Sequence, residues 1–298
     1  MRRKPVLLSL TILCMFLLAS TGNAQDFLKR FSLKLTGGYG NIAGGDVNDV
    51  VDGVNSQLAD LSAIAGLPTL GEMENAKWGL DLEGELVFSL SKNFGVSLGA
   101  GYLVRKIDSL VEIRLEPIIS GSFLWEPKYT VIPITLSGYY YLPVASKANV
   151  FFKGGIGYYF AKINFTTREE LVIPGELNEW NQNDGEAKDN GFGFHGGLGF
   201  EYNISRSVAL YAEGIGRYVN FKDWEVDNTY RDSSGYTLKQ SGAFWYEEEF
   251  DGSTGRYYPS LTISEQRPSS PWVRNARKAE IDLSGLSFRI GVRIRFGK

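Results

Sequence analysis

The chain contains one cysteine, Cys14, and one histidine, His195. Cys14 lies within the apolar run from Val6 to Leu18, and Leu13 stands before it where a lipoprotein site needs a small residue. Residues 1–24 read as a cleavable secretory signal peptide: a basic start (Arg2, Arg3, Lys4), a short apolar core and a small-residue exit ending at Ala24. The mature chain, residues 25–298, then has no thiol, which excludes a disulfide framework and a thiolate metal site. A single histidine cannot build a histidine-rich metal centre or pair with a cysteine nucleophile. Basic runs are also missing. Removing the three leader bases takes the formal charge from −3 to −6, and a mildly acidic chain offers no nucleic-acid footprint. No segment after Leu18 is long and apolar enough for a membrane helix. The sequence therefore implies no cofactor, no metal site and no catalytic residues.

What is present is alternation with a period of two. The segment Arg289-Ile290-Gly291-Val292-Arg293-Ile294-Arg295-Phe296 places apolar side chains at even positions and polar ones or glycine at odd positions, as a two-faced strand does. Seven earlier segments do the same: Phe31–Tyr39, Trp78–Leu90, one starting at Phe94, Tyr129–Leu142 (with a bulge or bend expected at Pro133), Val150–Ile163, Phe192–Tyr202 and Val208–Asn220. Each is about as long as the 9–11 residues that a tilted transmembrane strand needs, or longer. The connections 91–93, 143–149 and 203–207 are short. They alternate with long ones at 41–77, 115–128, 164–190 and 221–280. Short turns on one side and long loops on the other are the pattern of an outer-membrane barrel, with the short turns and both termini periplasmic.

Aromatic residues gather at strand ends. Tyr39, Trp78, Tyr102, Tyr129, Tyr158 and Tyr218 fall near the long loops, and Phe31, Phe94, Tyr202 and Phe296 near the short turns, as two interfacial girdles would. Alternation alone also fits a soluble barrel with its apolar faces turned inward around a ligand. The leader, the loop asymmetry and the girdles favour the membrane arrangement.

In that arrangement the inward face is charged: Lys34, Asp81, Glu83, Glu85, Arg105, Lys153, His195, Glu201, Glu213, Arg217, Arg289, Arg293 and Arg295. Eight strands enclose only enough room for side chains, and an unpaired buried charge costs several kcal/mol. The acids are therefore expected to pair with the bases and plug the lumen; the other reading is a narrow, charged solute path. His195 with Glu201 or Glu213 could in principle do acid–base work, but its mid-strand position favours a luminal hydrogen bond. The run Gly191-Phe192-Gly193-Phe194-His195-Gly196 matches G-x-G-x-x-G without the helix that a dinucleotide site requires. Like Gly154-Gly155-Ile156-Gly157, it reads as small inward residues making room for long side chains opposite.

Two loops have features of their own. Val47, Val50, Val51, Val54, Leu58, Leu61 and Ile64 recur at helical spacing, which predicts a helix over 47–65, capped by Asp46 and stopped by Gly66 and Pro68. Residues 41–76 hold six acids and neither lysine nor arginine. The helix could lie against the barrel mouth, act as a lid or plug, or meet anionic lipid through divalent cations. The last loop carries Tyr246-Glu247-Glu248-Glu249-Phe250-Asp251 with Trp245, Tyr257, Tyr258 and Trp272 nearby. These aromatics suit either a binding surface or strand extensions above a membrane.

The whole pattern resembles the outer-membrane protein β-barrel domain family, the eight-stranded OmpA/OmpX-like transmembrane barrels. The end of the chain is similar to the terminal recognition signal of such barrels, with Arg289, Gly291, Ile294 and Phe296 on its positions and Gly297-Lys298 as an addition. The resemblance implies an all-β fold: one eight-stranded antiparallel up-and-down transmembrane β-barrel with long extracellular loops and a short helix in the first. It implies insertion into the bacterial outer membrane by the barrel-assembly machinery. Outer-membrane lipid and an unidentified extracellular ligand are the other partners expected, and no nucleic acid. The expected role is non-enzymatic, structural or in surface interaction. A small-solute pore stands second and a barrel-embedded lipid-modifying enzyme third.

Overall fold

Where polar and apolar side chains alternate, an extended backbone separates them onto two faces. The computed structural model shows this through most of the chain. It describes residues 27–66, 68–75, 78–115 and 119–297; the expected signal peptide, residues 1–24, lies outside them. In order, the elements are β1 (Phe31–Asn41), α1 (Asp46–Ala65), β2 (Thr69–Leu70), β3 (Trp78–Ser89), β4 (Phe94–Lys106), β5 (Ser109–Leu115), β6 (Ile119–Ala145), β7 (Ala148–Ile173) and β8 (Leu177–Asn203). There follow β9 (Val208–Tyr218), β10 (Asn220–Phe221), β11 (Glu225–Asp232), β12 (Thr237–Asp251), β13 (Arg256–Ser264), β14 (Val273–Lys278), β15 (Ile281–Asp282) and β16 (Gly285–Arg295).

Eight of these sixteen strands close a ring. β1 pairs with β3, and β3, β4, β6, β7, β8, β9 and β16 follow as antiparallel neighbours. β16 returns to β1 with Lys34 opposite Arg293. The total of eight is thus corrected to sixteen, because three of the expected loops are sheet. β7 and β8 continue together to Ile173 and Leu177, so 164–190 is a hairpin rather than a loop. β5 folds back on the extended start of β6. β11 adds to β8, β12 to β11, and β13 and β14 to β12, so most of 221–280 is a second wall built on the hairpin.

Two local expectations also change. Pro133 causes no bulge, since Ile132, Pro133 and Ile134 hold one register against β7. The ladder to β4 is merely interrupted near Gly101, where the proline ring fills the place of a Cβ. The irregularity falls at Pro143/Ala145. Asp46 does not cap α1. Gly45 holds the N-cap without a side-chain bond, because the Asp46 carboxylate is taken by Arg277 at 2.6 Å and by the Glu280 amide at 2.6 Å. Gly66 ends the helix in the left-handed conformation, φ 68°.

α1 lies on the extension sheet. Val51 packs with Met73 and Val111, flanked by Val54 and Leu58. Ile64, at the far end of the stripe, is exposed. Gly53 touches Pro259 so closely that a Cβ would come within 2.7 Å of the ring. Asp60 accepts from Tyr258 (2.6 Å) and Arg256 (2.7 Å), and Gln57 donates to Asp251 (2.8 Å). The Tyr258 hydroxyl, then Arg256, hold the Asp60 carboxyl below its ordinary value. Asp46 raises the Arg277 guanidinium above its own.

Candidate functional site: the ring interior

The two faces of the ring are inverted relative to a water-soluble protein. Lys34 is fully buried, whereas its neighbour Leu35 is 50% exposed. Along β3, Asp81, Glu83 and Glu85 are buried between the exposed Leu80, Leu82 and Leu86. Parity alone produces this, because adjacent strand residues point to opposite faces. Of the expected girdle residues, Tyr39, Trp78, Tyr102 and Tyr218 are exposed at one end and Phe94, Tyr202 and Phe296 at the other. Tyr129 is a correction: it shares the inward parity of Val131 and is buried in the interior.

The interior is layered. Next to the short turns, Arg293 and Arg295 both reach Glu201, the former at 3.2 Å. Above them is an aromatic layer of Tyr139, Tyr141, Phe151 and Tyr211 with Val87. Lys34 Nζ sits over the Tyr211, Phe151 and Tyr139 rings at 4.0, 4.4 and 4.6 Å from their centroids, where ring quadrupoles attract a cation.

The central layer pairs its charges. Lys153 Nζ is 3.0 Å from Glu83 and 2.8 Å from Glu85. Arg289 is 2.8 Å from Glu83, 2.6 Å from Glu213 and 3.5 Å from Asp81. Lys34 reaches Glu213 at 3.5 Å and Arg217 reaches Asp81 at 3.8 Å. Neutral donors complete the carboxylate shells: Ser97 and Tyr139 donate to Glu85, and Thr135 to Glu83. Such shells are what make buried ion pairs tolerable. Arg105 departs from the expectation. It forms no ion pair among the described residues and donates instead to the carbonyls of Leu80 (2.8 Å) and Val104 (3.0 Å). Its guanidinium lies beside β3's backbone, close to where a Cβ on Gly79 would be.

Glu83, Glu85 and Glu213 bring carboxylate oxygens within 4.8 Å of one another, a spacing open to a cation. Lys34, Lys153 and Arg289 already supply that positive charge. His195 Nε2 lies 2.8 Å from Ser137 Oγ. A serine–histidine contact normally suggests a nucleophile and its base. Here His195 Nδ1 meets no orienting carboxylate among the described residues. The void beside the ring is about 30 Å³, about the share of one liquid water.

Above the charges the interior is apolar. Leu103, Tyr129, Val131 and Tyr159 from the ring join Ile42, Val47, Val219, Phe221, Trp224, Ile281 and Leu283 from the segments that fold over its long-loop end. Sequence reading missed this cap and the aromatic layer. The signal for the layer lay in Tyr139-Tyr140-Tyr141, where only the middle tyrosine has outward parity.

The outer membrane protein beta-barrel domain model matches residues 10–242. Two solved structures are among those to which the chain is similar. One is a major outer membrane protein from Thermus thermophilus, at 13% identity and TM-score 0.40, over 89% of this chain and 99% of that one. The other is the outer membrane protein OprG from Pseudomonas aeruginosa, at 11% identity and TM-score 0.36, over 89% of this chain and 95% of that one. Among curated proteins none matches.

Proposed function

This chain belongs to the outer membrane protein beta-barrel domain family, and on that premise we propose that the ring of eight strands spans the bacterial outer membrane as a closed, non-conducting and non-enzymatic barrel. Its working surface is the sheet and helix carried above the ring. The observation that carries this reading is the inversion of faces. Burying Asp81, Glu83, Glu85, Lys153 and Arg289 while exposing Leu35, Leu82, Leu86, Leu98, Phe152 and Ile290 is unfavourable in water and favourable in lipid. The short turns then face the periplasm, where both termini lie, and the extension sheet faces outward.

Three stacked layers support closure: aromatic, ion-paired and apolar. A narrow pore would need the middle layer to open, and each acid there is held by at least one cation. Lipid is the immediate partner. The barrel-assembly machinery is the partner of biogenesis, through Arg289, Gly291, Ile294 and Phe296. The partner of the outer surface is an extracellular ligand.

Cell fractionation with heat-dependent gel mobility tests the location. The protein is expected in the outer-membrane fraction, migrating differently before and after boiling. A soluble periplasmic protein of unchanged mobility would overturn the reading.

A further inference from the structure

Each of the three short turns carries a serine followed by a cation: Ser91-Lys92, Ser146-Lys147 and Ser205-Arg206. They join β3 to β4, β6 to β7 and β8 to β9. All six residues line one cavity of about 1090 Å³ at this end of the ring. Lys29 and Arg30 line it from the segment before β1, and Arg293 and Arg295 from β16. Seven cations thus surround a space whose lining includes one carboxylate, Glu201. Glu201 is engaged by Arg293 and Arg295 together, so the floor keeps a surplus of positive charge.

The serines add to this polarity. Ser91 Oγ accepts from the amides of Asn93 (3.3 Å) and Phe94 (3.1 Å). Ser205 Oγ accepts from those of Ser207 (3.2 Å) and Val208 (3.1 Å). A hydroxyl has two acceptor sites and one proton. With both acceptor sites used, each of these hydroxyls has only its donor left to offer. Tyr141 also lines the cavity, is buried, and has a hydroxyl without a hydrogen-bond partner among the described residues. The Arg293 guanidinium lies over its ring, 4.8 Å from the centroid.

A concave site of cations and donor-only hydroxyls fits an acceptor-only ligand carrying several negative charges. Lysine and arginine with hydroxyl donors are the side chains that recognise phosphate oxygens. We propose that this vestibule binds a phosphate group, presented either by the headgroup of a surrounding phospholipid or by a soluble phosphate compound. The inference does not depend on whether the lumen conducts.

The test uses the full mature protein, folded in a neutral detergent and titrated calorimetrically with inorganic pyrophosphate at fixed ionic strength. The triple variant K92Q/K147Q/R206Q removes one exposed turn cation from each dipeptide and leaves the ion-paired interior intact. The control K128Q/K239Q/R267Q removes the same charge from exposed positions elsewhere. Saturable binding is expected, weakened at least tenfold in the turn variant and unchanged in the control. No saturable binding by the unaltered protein, or equal losses in both variants, would overturn the site. Repeating the titration in nanodiscs of phosphatidylcholine, whose headgroups carry phosphate without adding net charge, and comparing it with the phosphate-free detergent separates the sources. Weaker pyrophosphate binding in the nanodiscs supports a headgroup occupant, and equal binding supports a soluble one.

Discussion

Arg289 and Glu213 stand directly opposite each other on β16 and β9, with Nη2 2.6 Å from Oε1. The same guanidinium also reaches Glu83 and Asp81 on β3, so one side chain ties β16 and β9 to β3 across the interior. Arg289→Ala leaves three buried carboxylates short of a cation. Breaking a buried pair this way costs about 3–5 kcal/mol. The expected result is a lower midpoint for urea unfolding, followed by the heat-dependent band shift. An unchanged midpoint would show that the central layer does not hold the ring closed.

Purified folded protein in planar bilayers is expected to show no steady, reproducible conductance. Eight strands leave little beyond side-chain volume, and mixed charges at these distances attract strongly where water is scarce. Reproducible unitary steps would replace the closed barrel with a narrow pore.

Phe296 lies just past the end of β16, with its amide bonded to the Phe31 carbonyl at 3.0 Å. Phe296→Ala is expected to lower the amount of assembled, heat-modifiable protein severalfold, with little change in the unfolding midpoint of the fraction that assembles. Normal assembled levels would remove the case for a terminal recognition role.

A Cβ at Gly199 would come within 2.3 Å of Phe151 Cζ and 2.6 Å of the Ala212 carbonyl. Gly199→Ala is therefore an overpacking change in the aromatic layer, expected to destabilise by about 1–3 kcal/mol. The urea midpoint measures it, and a neutral result would mean that Phe151 has room to move.

Helix α1 is expected to loosen in acid. The Tyr258 hydroxyl and Arg256 depress the Asp60 carboxyl, and Gln57 with the Ser253 and Thr254 amides depresses that of Asp251. A depressed carboxyl stabilises the folded state above its unfolded value and loses that contribution as pH falls through its folded value. Hydrogen exchange across residues 47–65, taken relative to the intrinsic rate at each pH, should thus be protected at neutral pH and lose that protection below about pH 4. Exchange as fast as in an unstructured peptide at neutral pH would contradict the docked helix.

The eight ring segments could be read from the sequence because lipid demands an apolar residue at every second position. That demand writes a visible period through Leu80-Asp81-Leu82-Glu83 or Ile290-Gly291-Val292-Arg293. The inward charges followed from the same parity. Above the membrane the demand lapses. Thr166-Thr167-Arg168-Glu169 on β7 and its partners Asn181 to Asp184 on β8 are polar on both faces, so nothing in their pattern distinguishes strand from loop. The pairing of β11 to β14 was hidden for the same reason. Asp46 met the local rule for a cap, but its partners Arg277 and Glu280 are more than 230 positions away, beyond the reach of a local rule. Arg105 had the correct parity. That it would bond to carbonyls rather than to Asp81 depended on a neighbouring strand edge that spacing does not reveal.

The hairpin of β7 and β8 has arms of 26 and 27 residues. At about 3.3 Å per residue each arm is roughly 85 Å long, whereas a tilted strand crosses a bilayer core with about 9–11 residues. More than half of each arm is therefore free to stand outside the lipid. The turn at 174–176 becomes the tip of a mast, stiffened on one side by β5 and β6 and on the other by β11 and β12. On the placement proposed above, a structure of that height reaches past the lipid headgroups, so its tip would meet an approaching object before the membrane does.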